Sequence, residues 1–162
     1  DQSGIKLEYW GGEVYAMAGG TPEHGRLASR ISRQLGNQLE SRGCETCSSD
    51  VLVRVPAGDV FPDVTVVCGE TRVDGKSILN PRILIEVLSE ATAAFDQGAK
   101  LEQYRSLASV RAVVFVAQTE RWIRVISRTD TDAPWDDVVT TSGEVEIAET
   151  TVSLDAVYGP AR

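Results

Sequence analysis

Histidine is nearly absent from this chain, and cysteine is scarce: one His and three Cys stand among 162 residues. An odd number of cysteines, Cys44, Cys47 and Cys68, gives no disulfide framework. Cys44 and Cys47 form a lone C-x-x-C. Structural zinc needs four ligands, so Cys68 and His24 would both have to join them. Reduced cysteines in a cytoplasmic protein are the plainer expectation. No apolar stretch is long enough to span a membrane, and no membrane partner is expected. No signal peptide is visible, but the chain begins at Asp1 without a methionine, so a removed leader stays open. Positive charge is also short: 16 Lys and Arg face 24 Asp and Glu, a formal net charge of −8. That balance argues against tight non-specific binding to phosphates. It argues less against a carboxylate site whose charge bound divalent cations offset. Arg26, Arg30 and Arg33 lie in one segment and Arg121, Arg124 and Arg128 in another. Both groups read as solvated faces. Internal repeats, low-complexity tracts and linkers are missing too, and the length fits one domain over 1–162 with a real core.

What is present has a clear punctuation. Leu7 to Ala18 reads as a hairpin broken at Gly11-Gly12. Thr21 caps a helix whose first residue is Pro22 and which runs to about Ser41, with Leu27, Ile31, Leu35 and Leu39 as its buried stripe. A strand is expected from about Cys47 to Val55, then a turn over Pro56 to Asp59, a strand from Asp63 to Cys68 and a polar loop from Gly69 to Asn80. A strand through Ile83 to Leu88 follows, then a second helix from about Phe95 to Ala108. Strands at Ala112 to Val116, Trp122 to Ile126, Asp137 to Thr141 and Val145 to Ile147 complete the chain. The order implies an α/β domain around a central mixed sheet.

The run Ile83-Leu84-Ile85-Glu86-Val87-Leu88 reads as a strand buried on both faces, with a carboxylate in its middle. An ionised carboxylate there needs a metal, a cation or hydrogen-bond donors. Asp63 opens the preceding strand directly after Pro62. If the two strands pair as neighbours, Asp63 and Glu86 meet, and a divalent cation would relieve their repulsion. Hard oxygen ligands suit Mg2+ or Mn2+ better than zinc. Each acid also has an ordinary explanation: a buried ion pair or a glutamate protonated in the core for Glu86, a turn-initiating aspartate for Asp63. Lys100 falls at the edge of the inward stripe of the second helix, shared with Tyr104 and Leu107. It is either aimed at the carboxylates or an exposed partner of Asp96. His24 shares the face of Leu27 and Ile31 in the first turn of its helix. It is a metal ligand, a second donor or a proton carrier, or else an interior histidine with an ordinary hydrogen bond.

Taken in order, several strings resemble the bacterial family called Uma-two, within the PD-(D/E)XK nuclease superfamily. They are Gly12-Glu13-Val14-Tyr15-Ala16-Met17-Ala18-Gly19, then His24, then Phe61-Pro62-Asp63-Val64 leading to Val67-Cys68-Gly69. Asn80-Pro81, Ile85-Glu86-Val87-Leu88-Ser89, Asp96, and Lys100 with Tyr104-Arg105 follow. The resemblance covers Glu8 to about Arg128. It implies a restriction-endonuclease-like fold: a central mixed sheet flanked by two main helices, with additional hairpins.

The resemblance further implies metal-dependent hydrolysis of DNA phosphodiesters. Asp63, Glu86 and the carbonyl of Val87 would hold one or two Mg2+ or Mn2+ ions, with Lys100 and His24 completing the catalytic set and Glu13 a further candidate. DNA would be the substrate, and a homodimer is an allowed assembly. The chain departs from the superfamily signature at Leu88, where a lysine is usual. The resemblance puts that lysine at Lys100, and a long ammonium can reach one site from different backbone positions. Ala112-Val113 replaces a frequent Tyr-Trp. A nuclease fold that binds a partner or nucleic acid without cutting is the rival reading.

Overall fold

A computed structural model describes residues 5–160. The chain opens with a hairpin, β1 (Leu7–Trp10) and β2 (Glu13–Ala16). Gly11 and Gly12 turn it with positive φ angles of 58° and 92°, which a two-residue hairpin of this hand requires. Helix α1 (Pro22–Leu39) starts where Thr21 Oγ1 accepts the His24 amide, and it buries Leu27, Ile31, Leu35 and Leu39 as the four-residue spacing predicts. A 3-10 turn (Glu40–Arg42) and Gly43 end it.

The expected strand from Cys47 to Val55 is two strands. β3 (Cys44–Ser48) and β4 (Leu52–Val55) lie in different sheets, separated by a break at 49–51. Period-two alternation continues through such a break because it reports which face is buried, not which neighbour is paired. The turn after Val55 is likewise shorter than expected, since Gly58 and Asp59 already belong to β5 (Gly58–Val60). β6 (Val64–Cys68) follows, and the polar loop holds two short strands, β7 (Val73–Asp74) and β8 (Ser77–Ile78).

β9 (Ile83–Leu88) is buried along its whole length. The second helix begins earlier than expected and is not uniform. It consists of a turn, α2 (Ala93–Phe95), a π-helical segment over Asp96–Lys100, and α3 (Leu101–Ser106). β10 (Ala112–Ala117), β11 (Ile123–Ser127) and β12 (Asp136–Thr140) come next. β13 (Glu144–Ile147) pairs with β14 (Thr150–Ser153), and α4 (Leu154–Tyr158) follows; the sequence pattern had signalled neither β14 nor α4.

The central sheet has the order β12-β11-β10-β9-β6-β3, and a second six-stranded sheet has the order β2-β1-β5-β4-β8-β7. β9 and β10 are parallel, joined by the helical crossover, while β6 and β9 are antiparallel. Helix α1 with β13, β14 and α4 packs on one face of the central sheet, against Ile83, Ile85 and Val87. Helix α3 and the second sheet pack on the other, against Leu84, Leu88, Val113 and Phe115. Glu86 belongs to the second face. The expectation of additional hairpins therefore understates what is a full second sheet.

Cysteine chemistry also departs from expectation. Cys44 and Cys68 stand directly opposite each other on β3 and β6 and form a disulfide, while Cys47 is a free thiol. The reading of three reduced cysteines is corrected by this pairing, which no spacing rule in a three-cysteine chain foretells. Among the described residues, no helix is long and apolar enough to cross a membrane.

Candidate active site

β6 and β9 set the geometry. Their register pairs Val64 with Ile85 and Thr65 with Leu84. Continued by one residue, it sets Asp63 against Glu86 on the same face. β6 begins only at Val64, so the ladder does not extend to Asp63. The Asp63 side chain takes over, and its Oδ2 accepts the Val87 amide at 2.7 Å. The same oxygen lies 3.2 Å from Nε2 of His24, which the N-terminal turn of α1 holds in place. The hydrogen bond to Asp63 raises the imidazole's pKa above its ordinary value, although burial opposes this, and the Val87 backbone adds a further hydrogen bond.

Glu86 is 4% exposed. Its Oε1 receives the Tyr104 hydroxyl at 2.5 Å and lies 3.1 Å from Nζ of Lys100. Burial pushes the Glu86 carboxyl up to about 8, with Lys100 pulling the other way and Asp63 reinforcing the rise. Lys100 is itself buried, with Glu8 Oε1 at 3.3 Å and Asp96 Oδ1 at 3.7 Å. Burial works against the ammonium's charge, but Glu86, Glu8 and Asp96 outweigh it, so its pKa lies above the usual lysine range. Asp96 is raised, mainly by burial. The exposed-lysine explanation of Lys100 is thereby excluded, although its pairing with Asp96 does occur.

The π-helical segment explains why the inward stripe carries so much charge. It puts Asp96 and Lys100 at its two ends, both buried, and Tyr104 follows one turn later. Wider turns of this kind occur mostly as single-turn insertions, often at functional sites. A groove of about 570 Å³ beside α1 has His24 and Asp63 among its lining residues.

Asp63 thus contacts His24 and the Val87 amide, Glu86 contacts Lys100 and Tyr104, and the two acids lie near enough for Asp63 to raise the pKa of Glu86. Glu13 joins neither group: it is exposed, and its Oε2 accepts the Tyr15 hydroxyl at 2.7 Å. Glu8 takes the place the sequence reading had offered to Glu13. The sequence signal points the wrong way, because alternation in β1 sets Glu8 and Trp10 on one face and Leu7 and Tyr9 on the other. Apolar Leu7 and Tyr9 would ordinarily mark the buried face, yet both are exposed and Glu8 is buried. Tyr104 was visible only as packing. Among the described residues, no three His, Cys, Asp or Glu side chains converge as a metal cluster.

Comparison with known proteins bears on the fold and the family. A solved structure titled as a putative nuclease belonging to DUF820, from Anabaena variabilis, superposes with a TM-score of 0.73 over 94% of this chain and 89% of that one, at 13% identity. That likeness establishes the restriction-endonuclease-like fold. Two uncharacterized proteins of Synechocystis align well. One, slr1290, is 32% identical over 133 residues, covering 80% of this chain and 70% of that protein. The other, sll1609, is 29% identical over 123 residues, covering 73% of this chain and 70% of that protein. The model of the Uma2 family, described as "Putative restriction endonuclease", matches residues 1–156. With that match over nearly its whole length, the chain belongs to the Uma2 family.

Proposed function

We propose that this protein hydrolyses DNA phosphodiester bonds with Mg2+ or Mn2+, at a site formed by Asp63, Glu86, the Val87 carbonyl and Lys100. The observation that carries the reading is a buried ammonium 3.1 Å from Glu86, on the sheet face where the β6–β9 register sets Asp63. Leu88, at the superfamily's usual lysine position, is packed among apolar side chains, so Lys100 is the cation available to the acids.

The donor chemistry fits a hard cation. The contacts described above fall on Oδ2 of Asp63 and Oε1 of Glu86, and the second oxygen of each carboxylate enters none of them. A divalent cation held there supplies Lewis acidity, lowering the pKa of a water and offsetting charge on the phosphate. The protein's own groups do the rest. Tyr104 fixes the rotamer of Glu86 through a charge-assisted hydrogen bond. Lys100 offers a preorganised positive charge to the phosphate oxygens as negative charge develops. His24, whose pKa is raised by its hydrogen bond to Asp63, is placed to exchange a proton near the reacting groups. The groove beside α1 leads a substrate strand to Asp63.

The test is cleavage of plasmid DNA with Mg2+ or Mn2+, in wild type and Glu86→Gln. The amide is nearly isosteric but a poor ligand for hard cations. Wild type should cut and the variant should not, with the fold retained. Undiminished cutting by the variant would remove Glu86 from the mechanism. A binding-only nuclease fold is the second reading, favoured by the lack of a three-ligand cluster among the described residues. It requires that Mg2+ and Mn2+ leave the melting temperature unchanged, whereas the hydrolytic reading requires a rise that Asp63→Asn abolishes.

A further inference from the structure

Glu8 belongs to β1, in the second sheet, yet it reaches the residues on both sides of the proposed site. A single oxygen, Oε1, accepts the Phe61 amide at 2.7 Å and lies 3.3 Å from Nζ of Lys100. Phe61 stands two residues before Asp63. One buried carboxylate therefore ties the segment that delivers Asp63 to the ammonium that touches Glu86. We infer that Glu8 is a positioning residue, which sets the Asp63 segment and Lys100 relative to each other and keeps Lys100 in place. This inference rests on the hydrolytic reading for its kinetic consequence only.

Two observations separate this role from the alternatives. The oxygen that faces the site already meets two donors, an amide and an ammonium, which is the environment of a hydrogen-bond acceptor and not of a metal ligand. A purely structural acceptor for Phe61 would not need a charge, since an amide oxygen would serve. The charge is aimed at Lys100, where Glu86, Glu8 and Asp96 converge on one ammonium. If Glu86 gives its charge to a cation, Lys100 keeps Glu8 and Asp96, and Glu8 is the nearer of the two. Glu8 then fixes Lys100 through catalysis without touching the substrate.

Glu8→Gln tests this, because it preserves an acceptor for Phe61 and removes the charge. The melting temperature should stay within about 2 °C of wild type, as expected when no buried donor is orphaned. Single-turnover cleavage should fall by about tenfold or more with KM unchanged, the usual cost of losing a supporting partner behind a reactive group. Glu8→Asp, which keeps the charge on a shorter arm, should recover part of the rate. A second readout needs neither metal nor DNA. The chain has three lysines, Lys6, Lys76 and Lys100, so reductive methylation can be followed at each by mass spectrometry. Lys100 should resist in wild type and react several times faster in Glu8→Gln, with Lys6 and Lys76 unchanged as internal references. Unaltered cleavage together with unaltered Lys100 labelling would overturn the inference, as would a loss confined to KM. If Glu8→Gln melts much lower, Glu8→Asp decides: recovery of rate and Lys100 protection supports the role, and no recovery sinks it. A wild type that never cuts DNA refutes the hydrolytic reading, while the labelling still decides the position of Glu8.

Discussion

Lys100 sets one buried ammonium against three buried carboxylates. Removing it costs in two ways. The acids lose their counter-charge, and breaking a buried ion pair from one side typically costs about 3–5 kcal/mol. On the proposed hydrolysis, the developing charge would also lose its electrostatic partner, worth about 3 kcal/mol or roughly a hundredfold in rate. Lys100→Ala should therefore both melt lower, by about 10 °C in a chain of this size, and cut about a hundredfold more slowly. Added Mn2+ should restore part of the stability but not the rate. Calorimetry and single-turnover cleavage on one preparation check both halves, and a variant that melts and cuts like wild type would return Lys100 to an ordinary ion pair. Lys100→Arg should not rescue the rate, because a planar guanidinium does not fill the place of a compact ammonium.

The elements that hold these residues meet at few points, and Gly58 is one of them. A Cβ at Gly58 would lie 2.0 Å from the Tyr9 carbonyl oxygen, where β5 pairs with β1. Gly58→Ala should push the hairpin off the second sheet and take Glu8 with it. The expected result is a loss of several kcal/mol, within the range of severe backbone strain, and cleavage that falls even at temperatures where the fold persists. Gly19→Ala is the control, because a Cβ there meets nothing within 4 Å. The same junction shows why part of the architecture was illegible in sequence. The stripe of α1, the buried strand β9 and the capping of Thr21 follow from spacing, which reports burial. Sheet membership does not. Nothing between Ser48 and Leu52 says that the chain leaves one sheet for another, and nothing in Leu7 and Tyr9 says that their face is the exposed one. Asp63, Glu86, Lys100 and His24 could be named from local pattern and resemblance. Glu8 could not, because its partners lie on β6's approach and on the π-helical segment, far away in sequence.

For the molecule as a whole, proton balance follows from the same burial. Glu86 rises from 4.5 to about 8 on folding, chiefly through burial, and His24 also rises, chiefly through its hydrogen bond to Asp63. Between those limits the folded protein holds protons that the unfolded chain has released, so stability falls as pH rises. The Glu86 contribution is complete below 4.5 and gone once the pH has passed about 8. On the acid side, Asp50 is lowered by its hydrogen bond to Lys6 and Asp137 by that to Arg124; in Asp59 burial is outweighed by Arg54 and Ser77. Their contributions are lost as the pH drops below the ordinary 3.8. The metal-free protein, kept in chelator, should therefore melt higher at about pH 5.5 than at about pH 8.5. Glu86→Gln should flatten most of that slope, and an equal slope in the variant would place the responsible proton elsewhere.

The hairpin that carries Glu8 has a consequence for how the protein is made. Translation delivers Glu8 before the two acids, and Lys100 and Tyr104 after them. A nascent chain that stops short of Lys100 holds Asp63 and Glu86 without the cation they face, and β9 without its parallel neighbour β10. The cluster closes only when segments about ninety residues apart in the sequence have docked, and such non-local contacts form late in folding. A chain that has not yet reached Lys100 and Tyr104 therefore lacks the contacts that gather the cluster around Glu86.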